Sequence, residues 1–352
     1  MNSIQKLSIS KDNTIKNALK QLDENGRKIL FVTNSKEKLI GTVTDGDIRR
    51  WILKNGALSD VIEKIMNDKP YVLNIKDKYK AKDIMKKRVI QAVPFVDDKG
   101  KLVGAIFWND VFDETFRIYD NINLPVVIMA GGKGSRLKPY TNILPKPLIP
   151  VGDIPISQRI INRFYKYGCK DFYMTINHKK NIIKAYFNDL EKDYCIYYVE
   201  EDRPLGTAGS LYMLKDKIKE TFFLSNCDIL IDADYSDILD FHRKKKNKIT
   251  MVTSLKHYTI PYGTINIDND GYLEGIIEKP QLDYLVNTGV YILEPDIIND
   301  IPEKTFYHIT DLIKSYIENG KRVGTYPISE KSWLDMGQIE EMKNMVERLG
   351  MK

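Results

Sequence analysis

A chain of 352 residues, 43% hydrophobic and 29% charged, is too long for one ordinary core and suits two soluble domains, one of them large. No stretch approaches the ~18 apolar residues of a membrane span, and the opening MNSIQKLSISKDN lacks the apolar core of a signal peptide, so a cytoplasmic protein without a membrane partner is expected. Three scattered cysteines (Cys169, Cys195, Cys227) exclude a disulfide framework, and the net charge of +6 is spread among interleaved acids, so nucleic acid is not an expected partner.

The first 120 residues contain a repeat. Lys38-Leu-Ile-Gly-Thr-Val-Thr-Asp-Gly-Asp47 recurs as Lys101-Leu-Val-Gly-Ala-Ile-Phe-Trp-Asn-Asp110, and the 63-residue offset holds for Gly41 and Gly104 as well. Each copy predicts an amphipathic helix (15–25 and 81–89), a strand (29–33 and 92–96), a turn, a second strand, and a helix after the closing Asp. Each unit alone leaves an apolar face that its sister would cover.

The pattern Gly-x-x-Thr-x-x-Asp after a strand resembles a CBS domain, and the two copies resemble a tandem CBS pair that senses adenosine nucleotides. The resemblance implies ribose contacts from Thr44 and Asp47, with Asp110 in the second copy. There Phe107 replaces the hydroxyl, which removes a polar contact. A purely structural or dimerising module is the alternative. The habit of CBS pairs implies a homodimer and a possible adenine nucleotide as ligand.

Residues 121–125 read as a linker between the pair, 1–120, and a second domain, 126–352. Beyond it apolar strands (126–130, 172–176, 196–199, 222–225) alternate with helices (156–167, 180–190, 208–219). This alternation predicts an α/β fold with a doubly wound, mostly parallel sheet, and ligands beyond the carboxyl ends of its strands.

The strand Pro125-Val-Val-Ile-Met-Ala130 runs into Gly131-Gly132-Lys-Gly134-Ser135-Arg136, whose glycines let backbone amides approach an anion. A glycine-rich turn alone is equally compatible with a plain loop. Lys146, set between Pro145 and Pro147, sits on a stiff extended mount. The loop, Arg136 and Pro145-Lys146-Pro147 in this order resemble the signature of the sugar-nucleotide pyrophosphorylases, a nucleotidyltransferase family of GT-A-like fold. The resemblance implies that Ala130, Gly131, Gly132, Gly134 and Ser135 bind nucleotide. It also implies that Arg136 and Lys146 neutralise the reacting phosphates.

Phe222-Phe-Leu-Ser-Asn-Cys-Asp228 ends an apolar strand in a carboxylate, suited either to Mg²⁺ or to capping the next turn. The family pairs such an acid with one in a Trp-x-Asp-x-Gly context, which implies Asp228 and Asp335 as metal ligands here. Met336-Gly337-Gln338 departs slightly from the family wording. Glu278-Lys279-Pro280 resembles the acid–lysine pair of the family, implying that Lys279 binds the sugar phosphate and Glu278 a sugar hydroxyl. Gly263, Asn287 and Thr288 match other sugar-facing positions. The four histidines look incidental.

Glu200-Glu-Asp-Arg-Pro-Leu-Gly206-Thr207-Ala-Gly209 resembles the base-reading loop of the family, where enzymes using uridine or thymidine triphosphate carry Gln at the position of Glu201. A carboxylate accepts guanine N1–H and N2–H together but meets the acceptors of uracil badly, so GTP is the expected nucleotide. A CBS pair ahead of a guanylyltransferase resembles the glucosamine-1-phosphate guanylyltransferases of bacterial legionaminic acid biosynthesis. Mannose- and heptose-1-phosphate guanylyltransferases, uridylyl or thymidylyl enzymes, and a non-catalytic nucleotide sensor are the alternatives. A last helix is expected over 339–349.

Overall fold

The computed structural model describes residues 4–88, 90–111 and 120–348. By internal contacts the chain forms two units, Met1–Ile118 and Tyr119–Lys352. Among the described residues no helix is long and apolar enough to cross a membrane.

The repeat in the first unit is a structural repeat down to its register. Ser8–Ser10 runs parallel to Ile29–Thr33, which returns antiparallel as Leu39–Thr44; Leu73–Asn74, Ala92–Val96 and Leu102–Phe107 do the same. Val32 faces Gly41 and Phe95 faces Gly104, and a register shift follows each pair. In the connecting turns Asn34 Oδ1 accepts from the amides of Lys36 and Lys38, and Asp97 Oδ1 from those of Lys99 and Lys101. A short polar side chain thus folds each turn onto its own backbone. Leu7, Phe31, Ala92, Leu102 and Phe107 form one buried cluster drawn from both copies, which covers the apolar face of each.

The helices Ile15–Asn25 and Ala81–Arg88 lie where the periodicity predicts them; Val89 lies outside the described residues. The helices of the closing motif begin earlier than expected, at Asp45–Ile52 and Trp108–Val111, so Asp47 and Asp110 lie inside them. In the first copy the reason is a capping box: Thr44 Oγ1 accepts from the Asp47 amide while Asp47 Oδ2 accepts from the Thr44 amide. Residues 112–119, where the helix after Asp110 is expected to continue, lie outside the described residues.

A seven-stranded sheet organises the second unit, in the order Cys195–Glu200, Asp171–Ile176, Val126–Met129, Phe222–Asn226, Gln281–Leu293, Ile249–Thr259, Val323–Ile328. All pairings are parallel except those of Gln281–Leu293, so the expected mostly parallel α/β sheet is what forms. Alternate residues feed two cores. Val126, Ile128 and Phe223 join the one beneath the helices Ile156–Tyr165 and Lys180–Asp189, while Val127, Phe222 and Leu224 join the one beneath Ile309–Glu318. Residues 121–125, expected as a linker, carry Ile122 and Leu124 into the first of these cores.

The helix expected over 208–219 is only a short 3-10 segment, Gly209–Leu214. The amides of Ala208 and Gly209 both donate to the Tyr307 carbonyl, which ties the segment to a neighbouring loop. Ile339–Arg348 is helical as expected, and Leu349 lies outside the described residues.

Val126–Met129 and Phe222–Asn226 are parallel neighbours, and the chain leaves both at the same carboxyl edge of the sheet. Ligands of an open α/β sheet bind beyond that edge. The glycine loop after Met129 and the Cys227-Asp228 tip both start there.

Candidate active site

The glycine loop is shaped by close approaches. Gly134 has φ +64, and a Cβ there would stand 2.9 Å from both Lys146 Cβ and Thr141 Cγ2. Thr141 donates its hydroxyl to the Gly134 carbonyl, and Lys179 Nζ clamps the carbonyls of Thr141, Asn142 and Ile143. Lys146 itself sits in a 3-10 turn, Lys146–Leu148, whose Pro147 carbonyl accepts from the buried Ser157 hydroxyl. The loop and the lysine are therefore held against each other without a ligand.

Lys146 Nζ is paired with Asp228, and the backbone carries Asp228 to Asp335. The short strands Ile229–Ile231 and Trp333–Asp335 run antiparallel with Ile229 opposite Asp335, and the Met336 amide donates to the Asp228 carbonyl at 2.9 Å. Burial, then the neighbouring Asp228 and Glu341 carboxylates, push the Asp335 pKa up to about 6. Burial works to lower the Lys146 pKa, but its ion pair and hydrogen bond with Asp228 and the charge of Asp335 act against it, and the ammonium stays above its ordinary value. The Cys227 thiol is pushed up to about 12 by burial and is no nucleophile. Among the described residues no group of three or more His, Cys, Asp or Glu could hold a metal alone. Two adjacent carboxylates are the donor set that Mg²⁺ accepts when phosphates supply further oxygens.

Two cavities share this centre. One, of about 320 Å³, is lined by Gly131, Gly132, Glu201, Pro204–Thr207 and Phe306 together with Arg136, Lys146, Asn226, Asp228 and His308. The other, of about 450 Å³, is lined by Asn287–Gly289, Tyr291, Ile309, Thr310, Trp333 and Asp335 together with Arg136, Thr207, Asn226, Asp228 and His308. Ala130 is buried beneath the loop, with its amide on the Thr175 carbonyl, and Ser135 is exposed outside both walls.

Glu201 is only 5% exposed, with its carboxylate oxygens 3.1 Å from where a Gly131 Cβ would be, so a side chain there would press on the carboxylate. Burial raises its pKa against the Leu205 amide, which donates to Oε2. Thr207 accepts from the Ile309 amide and so ties this loop to the start of the helix Ile309–Glu318.

The sugar-side candidates divide. Asn287 lines the larger cavity, oriented by its Nδ2 donating to Tyr291 Oη and its Oδ1 accepting from the Gly289 amide. Thr288 also lines it, but is 1% exposed and spends its hydroxyl on the Val252 carbonyl, so its backbone faces the cavity. Gly263 and Glu278 sit together, Glu278 Oε2 lying 2.9 Å from a Gly263 Cβ position. They and Lys279 belong to an exposed arm around the ribbon Thr264–Ile267 and Leu273–Ile277, and none of the three lines either cavity. Asn226, Phe306 and His308, which the motifs did not single out, do line them. His308 is thus not incidental to the site; its only sequence signal was a place just before an apolar helix.

In the first unit Thr44 and Asp47 bond each other, and Asp47 also pairs with Arg50. Asp110 accepts from Arg27, whose guanidinium lies 4.6 Å from the centre of the Phe107 ring. A cavity of about 620 Å³ lies against Asp110, Arg27 and Phe107, so the missing hydroxyl does not close that side.

Residues 125–349 match the family model of the nucleotidyl transferases. The chain belongs to the nucleotidyl transferase family. A CBS domain model matches residues 3–54. Similar curated proteins include the mannose-1-phosphate guanyltransferase of Debaryomyces hansenii, 30% identical over 225 residues that make up 61% of each chain. The mannose-1-phosphate guanylyltransferase of Mycobacterium tuberculosis is 28% identical over 61% of each chain, and the UTP–glucose-1-phosphate uridylyltransferase of Synechocystis 28% identical over 62% of this chain and 61% of that one. The chain thus spans about 61% of the length of the curated relatives it matches. The crystal structure of HddC from Yersinia pseudotuberculosis covers 64% of this chain and 99% of its own at a TM-score of 0.51 and 24% identity, a likeness of fold. This nucleotidyl transferase therefore carries its family domain in the second unit, with the CBS match in the first.

Proposed function

We propose that the chain is a sugar-1-phosphate guanylyltransferase, most simply read as joining GTP and glucosamine 1-phosphate to GDP-glucosamine and pyrophosphate. The observation that carries the reading is the buried Glu201 carboxylate at the base of a cavity that also exposes Arg136, Lys146 and Asp228. Guanine offers adjacent N1–H and N2–H donors to such a carboxylate, where uracil and thymine offer one donor between two acceptors. Gly131, Gly132, Gly206 and Thr207 line the same cavity and would hold the nucleotide.

An oxygen of the sugar phosphate attacks the α-phosphorus in line. A new P–O bond forms, the bond to the bridging oxygen breaks, and pyrophosphate leaves. No covalent enzyme intermediate is required; the chain supplies position and positive charge. Arg136 and Lys146 neutralise the triphosphate, and Lys279 would be brought to the sugar phosphate by its arm. Asp228 and Asp335 would hold Mg²⁺, whose contribution when bound is to neutralise phosphate oxygens. Asn287, Glu278, Gly263 and the Thr288 backbone would receive the sugar.

The names of the guanylyltransferase relatives favour mannose 1-phosphate as a second reading. Pyrophosphate release with Mg²⁺, each sugar phosphate and GTP, ATP, CTP, UTP or dTTP, with products weighed by mass spectrometry, separates these. Release with GTP alone supports the guanylyl reading, and release with UTP or dTTP alone rejects it. For the first unit we infer an adenine nucleotide beside Asp110. Calorimetry on the full chain with AMP, ADP, ATP and S-adenosylmethionine tests it. Heat that survives Asp110→Asn unchanged counts against that site.

A further inference from the structure

We infer that Phe306 is the stacking platform for the nucleotide base. The inference rests on the reading of the smaller cavity as the nucleotide site and adds a recognition element that the motifs do not contain.

An exposed phenylalanine is unremarkable by itself. Phe306 differs in where it is and in how firmly its backbone is held. It is 59% exposed yet lines the cavity that has Glu201 and Gly131 in its wall. Its neighbour Tyr307 accepts from the amides of Ala208 and Gly209 at 3.0 Å each and donates to the Leu205 carbonyl at 2.9 Å. Arg203 donates to the Lys304 carbonyl, and the Ile309 amide to Thr207 Oγ1, so bonds on both sides of Phe306 fasten it to the Glu201 loop.

Two glycines make this seam possible. A Cβ on Gly206 would stand 2.6 Å from the Tyr307 carbonyl oxygen, and one on Gly209 2.5 Å from that of Thr305. Gly206 also has φ +81, a conformation side chains rarely adopt. The His308 ring, which lines the same cavity, stands roughly perpendicular to that of Phe306, centroids 4.8 Å apart at 83°, with Nδ1 3.4 Å from Thr207 Oγ1. The ring is thus braced by His308 and keeps most of its apolar surface open where it lines the cavity.

The division of labour follows from chemistry. A carboxylate reads the hydrogen-bonding edge of a base and gains nothing from the π face. An aromatic ring gains from the π face of any base, and most from a large one. Glu201 then selects the base, while Phe306 supplies base-tolerant affinity.

The test uses the full chain with Mg²⁺. The dissociation constant of GTP is measured by calorimetry, and the inhibition constant of inorganic triphosphate, which has no base, by displacement. Phe306→Ala should weaken GTP about tenfold, the order of one lost base stack, and leave inorganic triphosphate within twofold. Phe306→Trp should restore GTP binding. Equal weakening of both ligands would make the residue structural, and unchanged GTP binding would remove the platform; either overturns the inference. If the wild type prefers another nucleoside triphosphate and Phe306→Ala weakens that one selectively, the stacking stands while the guanine reading falls. A wild type that binds no nucleoside triphosphate overturns both.

Discussion

Lys146 Nζ and Asp228 Oδ2 form an ion pair whose side chains are only 15% and 8% exposed. The pair joins the lysine proposed to neutralise phosphate to a proposed metal ligand. On the proposed roles, substrate entry would exchange partners: phosphate oxygens for Asp228 on the lysine, and a cation for Lys146 on the aspartate.

Removing one member of a buried pair leaves the other uncompensated. Lys146→Ala should therefore reduce turnover by a factor of about 10³ or more and also lower stability by roughly 3 kcal/mol, the scale for orphaning a buried charge. Urea unfolding beside pyrophosphate release checks both. Full stability with lost turnover would mean the pair carries no structural role.

Glu201 lies against Gly131, its carboxylate oxygens 3.1 Å from where a Cβ would stand, and glutamine conserves its shape. Glu201→Gln should lower kcat/KM for GTP by about 100-fold, consistent with losing a charge-assisted bidentate contact. It should also raise kcat/KM for UTP or dTTP, as steady-state rates with each triphosphate would reveal. A variant that keeps its preference for GTP would place base selection elsewhere.

Lys279 sits on the exposed arm with φ +45 and lines neither cavity. If the arm brings it to the sugar phosphate, Lys279→Ala should raise KM for the sugar phosphate tenfold or more while KM for GTP changes less than twofold. Equal changes in the two KM values would argue against a sugar-side role.

His242 is 1% exposed, with Nε2 2.9 Å from Glu294 Oε1 and Nδ1 2.8 Å from Thr250 Oγ1. Burial lowers its pKa in the folded protein, against the pull of Glu294 and with the push of Arg243. Below its ordinary value of 6.5 the unfolded chain takes up a proton that the folded one refuses, so stability is lost as pH falls from there. The urea midpoint should drop between pH 7 and 5.5, corresponding to roughly 1 kcal/mol for one such proton. His242→Gln should flatten that drop.

Much of the fold was legible because strand–helix alternation and the 63-residue repeat are local periodicities. The short 3-10 segment at Gly209–Leu214 was not, and neither was the bonding of the Ala208 and Gly209 amides to Tyr307, about 100 residues away in sequence. The early start of the helix at Asp45 was available in Thr-x-x-Asp, which is also a capping pattern.

The residues Gly131, Arg136, Lys146, Glu201, Asp228 and Asp335 were readable as candidates because each stands in a motif that a sequence carries in one stretch. Their convergence was decided by the sheet order, which sets Val126–Met129 beside Phe222–Asn226, and by the pairing of Ile229 with Asp335. Tertiary structure alone brought Phe306 and His308 to the cavity and left Lys279 outside its walls. The physical reason is that a motif records chemistry along the chain, whereas a wall is made by hydrogen bonds between segments whose separation no local pattern encodes.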